Sequence, residues 1–408
     1  MKCRHCKSDS LSPFVDLGSS PLSNAYLRAT DLQKPELWFP LRVFICHGCW
    51  LVQTEDFANY DLLFSKNYAY FSSVSKSWLQ HAEDYVSTMI TRFELSETSQ
   101  VVEIAANDGY LLQYVKSRGI PCLGVEPTAS TAEAARQKGI EIVEEFFGHD
   151  TAQKLVSKGK SADLIAAKNV LAHVPDIVDF VTGFEILLKP QGVATFEFPH
   201  LLNLVKFNQF DTIYHEHFSY LSLIAVEAVC QRVGLAVFDV EQISTHGGSL
   251  RVFVQKQNTG AFEKAKGYHE VLNMELAAGM DKPDFYQNFQ VKCEKVKDDF
   301  VSFLLQAKAK GKTVCGYGAA AKGNTLLNFA GVRSDLISCI ADKALSKQDM
   351  FMPGSRIPIV TPEQLDASNP DFVVIFPWNI SDEVTFDLKQ NLSNEVKFVT
   401  AVPQIKIF

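Results

Sequence analysis

Between residues 100 and 256, short apolar runs alternate with helix-forming stretches, and this alternation limits the possible folds more than any other feature. The runs are 100–105, 122–126, 140–143, 162–167 and 192–198. Strand, helix and strand repeating in this way give a largely parallel sheet with helices on both faces. Two further runs, 235–240 and 249–255, are joined by a short glycine-containing loop and read as an antiparallel hairpin at one edge. A charged, helix-forming stretch follows at 262–310, and then a second series begins with runs at 313–317, 337–341, 372–376 and 396–399. The chain is therefore expected to be α/β. It divides into an N-terminal module (1–74), a central doubly wound domain (75–256), and a helical connection leading to a second α/β domain (257–408).

Composition narrows the function. The 408 residues are enough to bury a large core without disulfides, and their formal net charge is −8. Phosphate backbones need a basic face, so no nucleic-acid partner is expected. No apolar run approaches the roughly 18 residues of a membrane helix, so no membrane partner is expected either. The opening residues from Met1 lack the apolar region of a signal peptide, and the expected location is cytoplasmic. The oligomeric state stays open, with a monomer plausible.

Of nine cysteines, four form two close pairs, Cys3-x-x-Cys6 and Cys46-x-x-Cys49. A CxxC turn aims two thiolates at one point, and two such turns complete the four-sulfur tetrahedron that Zn²⁺ prefers. With every coordination position filled by sulfur, the metal is expected to be structural. His5 and His47 lie within the same knuckles as alternative ligands.

The run ending in Glu103-Ile104-Ala105-Ala106-Asn107-Asp108-Gly109 breaks into small, turn-prone residues before a helix. In a doubly wound sheet, ligands bind outside the carboxyl ends of the strands. Small residues let an adenosine approach the backbone, and Glu103 can serve an ammonium group. The next run ends at Glu126, whose carboxylate can accept both hydroxyls of a ribose. No phosphate-cradling GxGxxG is present here, which suits S-adenosylmethionine (SAM), a ligand without phosphate. Asn169 closes the fourth run and would meet the amino-acid end of that cofactor.

The strand pattern with its terminal hairpin resembles a class I SAM-dependent methyltransferase of Rossmann-like fold. Over essentially its whole length, the chain resembles the nucleotide-sugar C-methyltransferases of deoxysugar biosynthesis. The motifs that carry this are the two CxxC knuckles, Glu103-x-Ala105-x-Asn107-Asp108-Gly109, Tyr214-His215-Glu216-His217-Phe218-Ser219-Tyr220, and Gly316-Tyr317-Gly318-Ala319-Ala320-Ala321-Lys322-Gly323-Asn324. The resemblance implies a zinc module, a central methyltransferase domain and a C-terminal Rossmann-like domain that holds the nucleotide part of the substrate. That substrate would be a nucleotide-diphosphate 4-keto-deoxysugar, methylated on a carbon beside its ketone.

Such a reaction needs a base, a group to stabilise an enolate, and alignment with the methyl donor. The Tyr214–His217 segment offers adjacent protonatable groups after the fifth run. His217 is expected to be the base, Glu216 to orient it, and Tyr214 to act at the ketone oxygen. His215 is the rival base if the backbone is extended, and is otherwise expected near the substrate. His173, after the fourth run, could reach a substrate carbonyl, and the resemblance places a histidine of this loop in the active site. It also places a tyrosine of the segment after the zinc module over the sugar, here Tyr68, with Tyr70 as the alternative. In the C-terminal domain, Gly318, Lys322 and Asn324 are expected to meet the diphosphate. The same G-x-G-x-x-A, with Asp342 ending the next strand, is also a dinucleotide fingerprint, so the competing expectation is an NAD-dependent nucleotide-sugar oxidoreductase.

Overall fold

The structure is a computed structural model that describes residues 1–56, 71–392 and 395–408. Three sheets organise it. The first belongs to the N-terminal module, where β1 (Leu11–Ser20), β2 (Phe39–Cys46) and β3 (Val52–Thr54) pair antiparallel. Each cysteine knuckle is the same turn built twice. The Lys7 amide donates to the Cys3 carbonyl and the Trp50 amide to the Cys46 carbonyl. Both residues that close the turns, Lys7 and Trp50, have positive φ, 62° and 58°.

The central domain opens with the helix Lys76–Phe93, whose N-terminus is capped by the Ser75 hydroxyl accepting from the Trp78 amide. It continues through β4 (Val101–Ile104), β5 (Cys122–Val125), β6 (Glu141–Val143), β7 (Ala162–Lys168) and β8 (Leu188–Pro199). The two-residue strand β9 (Ser219–Tyr220) leaves this domain and pairs with β3 of the N-terminal sheet. The hairpin of β10 (Leu235–Ile243) and β11 (Ser249–Lys256) then completes a seven-stranded sheet of order β6-β5-β4-β7-β8-β11-β10. Only the pairings of β11 are antiparallel. Chain order reverses between β4 and β7, so the loops after these strands flank the switch point where such sheets take ligands.

Side chains alternate between sheet faces. Val102 and Ile104 of β4, with Ile165 and Ala167 of β7, enter the core beneath the helices Ile177–Leu187 and Leu223–Arg232. Val101, Leu164, Ala166 and Val193 enter the core under the helix Lys76–Phe93. By the same alternation Glu103, Lys168, Thr195 and Glu197 share that second face toward the carboxyl ends, a polar layer above an apolar one.

The C-terminal part begins with the helices Lys266–Ala278 and Phe289–Ala309. Then come β12 (Val314–Tyr317), the helix Ala321–Phe329, β13 (Ile340–Ala341), β14 (Ile359–Val360), β15 (Phe372–Ile375), β16 (Lys397–Thr400) and β17 (Lys406–Ile407). The sheet runs β14-β13-β12-β15-β16-β17 and is parallel except at β17. The ends of the chain are interlocked. Phe14 stacks on Phe289 at 4.6 Å, and one apolar core contains residues of β1 and β2, of the segment 201–213 and of the C-terminal sheet. Among the described residues, no helix is long and apolar enough to cross a membrane.

Candidate functional site

The four knuckle cysteines converge. Their sulfurs all lie within 4.8 Å of one another, with Cys3–Cys49 at 3.6 Å and Cys6–Cys46 at 3.5 Å. A tetrahedron with arms of about 2.3 Å has edges of about 3.8 Å, so this donor set fits zinc. The Gly48 amide points at the Cys46 sulfur (3.4 Å), as amides do toward thiolates. His47 is not part of the set; its Nε2 pairs with the Ser12 hydroxyl at 2.9 Å. Arg4, inside the first knuckle, donates to the carbonyls of Thr54 and Pro175. The cluster is thereby tied to the loop after β7.

The loop after β4 is built on left-handed residues: Ala105 (φ 57°), Asn107 (φ 49°) and Gly109 (φ 73°). A Cβ on Gly109 would stand 2.4 Å from Ile140, so both conformation and space require glycine. At the tip of β5, Glu126 accepts from the Asn107 amide (2.9 Å) and the Thr128 amide (2.9 Å). Its carboxylate is thus fixed beside the loop with further lone pairs to offer. The side chains of Asn107 and Asp108 are turned to another use, accepting from Ser72 and Ser73 just before the helix Lys76–Phe93. A ligand at this loop would meet its backbone rather than those side chains. Glu103 is completely buried, and burial holds its carboxyl well above the usual range. It faces Tyr110 and Lys168.

From this loop a wall of rings and imidazoles leads across the switch point. Trp78 lies 6.0 Å from Tyr110 and 5.3 Å from His246, and His246 Nε2 is 3.1 Å from Asn169 Nδ2. His173 follows, its ring 4.6 Å from that of His217, and the Tyr214 ring lies 4.0 Å from His217. His173, His217, Tyr214, Asn169, His246 and Lys322 are each only part-buried, which leaves them open to the cleft that such sheets form at the switch point.

Tyr214 to His217 is a turn, closed by the His217 amide on the Tyr214 carbonyl. The turn separates the neighbours. His217 enters the cleft, and its Nδ1 lies 2.9 Å from the Thr212 carbonyl. A carbonyl only accepts, so Nδ1 carries the proton and Nε2 keeps the lone pair. Burial, with His173, His246 and Lys322 nearby, holds this imidazole well below its ordinary value. His215 leaves the cleft to lie against Phe39 and the Pro40 carbonyl (3.2 Å). Glu216 is buried against Asn24, which donates to it at 3.1 Å. The orienting contact expected of Glu216 is therefore made by the Thr212 carbonyl. Tyr68 and Tyr70 lie outside the described residues.

In the C-terminal domain the Gly316–Ala321 segment joins β12 to its helix, as the sequence suggests. Gly318 has φ 88°, and a Cβ there would strike Pro377 at 2.5 Å. Asp342 accepts from the Ala319 and Ala344 amides at 2.8 Å each, much as Glu126 is held. Lys322 crosses to the seam with the central domain. Its Nζ donates to Asn379 at 2.6 Å and lies 4.3 Å over the Trp378 ring; burial lowers it to about 8, opposed by Asp211. Asn324 is fully buried, its side-chain oxygen accepting from Asn328 at 3.0 Å, so it supports the loop from below.

Sequence reading missed several members. Glu197, near the end of β8, lies within reach of His81 (2.7 Å), Arg251 (3.2 Å) and Lys168 (3.3 Å), and these neighbours hold its carboxyl down at about 2 against the cost of burial. The alternation along β7 and β8 could have found Lys168 and Glu197 as charges on a buried face. Thr212, His246 and Trp378 act through tertiary placement that no local pattern announces.

Comparison with known proteins agrees with this layout. Residues 3–64 match the family described as "Putative zinc binding domain", residues 78–240 the family "Methyltransferase domain", and residues 244–403 the family "C-methyltransferase C-terminal domain". The chain is 34% identical over 406 residues to the C-methyltransferase NovU of Streptomyces niveus, covering 100% of this chain and 96% of that protein. It is 28% identical over 98 residues to a ubiquinone biosynthesis O-methyltransferase of Bartonella bacilliformis, 23% of this chain and 38% of the relative. The magnesium protoporphyrin IX methyltransferase of Synechocystis, solved with bound SAM, aligns with 44% of this chain and 79% of its own at a TM-score of 0.34 and 13% identity. The full-length match and the three consecutive domain matches identify the chain as a member of the C-methyltransferase family, a SAM-dependent enzyme built of a zinc-binding domain, a class I methyltransferase domain and a C-terminal α/β domain.

Proposed function

We propose that the acceptor is a nucleotide-diphosphate 4-keto-deoxysugar and that His217 is the base of the reaction. One observation carries the mechanism: His217 stands in the cleft with Nδ1 committed to the Thr212 carbonyl and Nε2 left basic. A hydrogen on the carbon beside a ketone is weakly acidic. Nε2 takes that proton, the C–H electron pair moves into an enolate, and negative charge gathers on the ketone oxygen. Tyr214, beside His217, stabilises that oxygen through its hydroxyl, and His173, neutral and bonded to the Glu216 backbone, lines the same wall. SAM, when bound, would supply an electrophilic methyl group to the enolate carbon, its methyl–sulfur bond breaking with the electron pair left on the departing thioether as the ketone re-forms. His217 then returns its proton to solvent, a transfer favoured by its depressed proton affinity.

The nucleotide is assigned to the C-terminal domain, between the Gly318 turn and Lys322, with the sugar reaching into the cleft. Support comes from Lys322, a cation at the seam beside the His217 cleft. The cofactor is assigned to the Ala105–Gly109 backbone, Glu126 and Asn169, with the Glu103 layer beneath. The zinc is assigned a structural part, since four sulfurs leave it no open position. The oxidoreductase reading has no comparable support, because the domain with the fingerprint matches a C-methyltransferase domain.

The test is deuterium wash-in at the carbon beside the ketone of a dTDP-4-keto-6-deoxysugar, in D₂O without SAM. His217→Asn should abolish exchange and Tyr214→Phe should slow it. Undiminished exchange in His217→Asn would remove His217 from the base role.

A further inference from the structure

The segment that orients His217 is held from the C-terminal domain at two points. Trp378, in the loop after β15, donates its indole N–H to the Asp211 carboxylate at 2.7 Å. Thr325, in the helix Ala321–Phe329, donates its hydroxyl to the Ile213 carbonyl at 2.7 Å. Between these two anchored residues lies Thr212, whose carbonyl receives His217 Nδ1. Asp211 and Thr325 are both buried, at 2% exposure each, so neither bond is readily exchanged for water. Lys322 lies over the Trp378 ring and is itself held by Asn379. A carbonyl can select an imidazole tautomer only if its own direction is fixed, and pinning the residue on either side fixes it.

We infer that Trp378 and Thr325 are positioning residues for the catalytic imidazole: through Asp211 and Ile213, the C-terminal domain sets the direction of the Thr212 carbonyl and thereby the ring orientation and tautomer of His217. This rests on the reading of His217 as base, but concerns a different property of the residue. The two anchors come from different elements, a loop and a helix. The nucleotide-binding half of the enzyme thus has a mechanical part in the chemistry of the other half.

The experiment uses the full-length chain labelled with ¹⁵N-histidine. The imidazole signals of His217 are assigned by their loss in His217→Gln. In the wild type they should report a neutral ring protonated at Nδ1. In Trp378→Phe, which keeps a ring under Lys322, and in Thr325→Val, nearly the same shape without a hydroxyl, the signal should move toward a mixture of tautomers. Thr325→Ser should restore it. With SAM and dTDP-4-keto-6-deoxyglucose as probe, kcat should fall by ~10- to 100-fold while the KM for SAM holds, as for a small misplacement of a reacting group. A purely structural role would lower the melting temperature and leave the tautomer alone. Unchanged His217 signals in both Trp378→Phe and Thr325→Val would overturn the inference. A shifted tautomer with unchanged kcat would uphold the positioning and instead remove His217 as base.

Discussion

His217 owes its chemistry to a backbone atom. The Thr212 carbonyl fixes Nδ1 as the protonated nitrogen, and burial, with His173, His246 and Lys322 nearby, keeps the ring neutral. The direction of this shift has a measurable consequence. A base works only unprotonated, and lowering its proton affinity moves its protonation to lower pH. The kcat/KM profile should therefore stay flat as pH falls through 6.5 and decline only well below it. At the cofactor end, Glu126→Ala removes an acceptor from the tip of β5. By calorimetry, SAM binding should weaken by about 1.5–3 kcal/mol, the usual worth of a hydrogen bond to a charged group. That His217, Tyr214 and His173 would come together was legible because protonatable residues clustered at strand ends point to one place. The roles of Glu216 and His215 were not. Adjacent residues in a tight turn diverge, and these two face Asn24 and Pro40 of the N-terminal module. A backbone carbonyl such as that of Thr212 leaves no mark in a sequence at all.

Among the elements, most strands of both parallel sheets could be read because buried parallel strands are continuous apolar runs, while the two-residue β14 and β17 were too short to show. The N-terminal sheet could not. The β1 strand contains Pro13 and two register shifts, which break the alternation that would reveal it. The β9 strand is two residues long and follows directly on the catalytic turn. Its pairing with β3 has a functional side. Thr54 donates its hydroxyl to the His217 carbonyl at 3.1 Å, and Arg4 of the first knuckle reaches Pro175 in the His173 loop. The N-terminal module thus braces both the proposed base and the His173 loop from behind. We expect one zinc per chain by elemental analysis and its loss in Cys46→Ser. Because the metal supplies folding energy to this module, that variant should also lose methyl transfer while still binding SAM at the distant Glu126 loop. Retained kcat in zinc-free protein would show that the brace is dispensable.

At the scale of the molecule, boundaries drawn from sequence follow changes of periodicity, whereas the cores do not. One core takes side chains from β1, from the segment after β8 and from the C-terminal helices. The carboxylate of Glu275, on the helix Lys266–Ala278, receives the Leu223 and Ile224 amides and pairs with His200 at 2.8 Å. Such contacts join residues far apart in the chain and carry no local signature. They also imply that Glu275→Gln, which keeps the shape but removes the charge, should lower the melting temperature without altering SAM affinity. A full negative charge is worth more than an amide at a helix N-terminus facing two amides.

The pairing of β3 with β9 also sets an order of events during synthesis. The edge of β3 has to wait for Ser219 and Tyr220, which leave the ribosome about 165 residues after Thr54. At elongation rates of roughly 5–20 residues per second, that is about 10–30 seconds. Through that interval the nascent module carries an open strand edge, the kind of surface on which chains associate wrongly. The strand that follows the Tyr214–His217 turn is therefore the piece that closes this edge. A ribosome stalled before residue 219 would release a fragment inclined to aggregate, and one stalled beyond it would not, a difference that light scattering of the two truncated chains would detect.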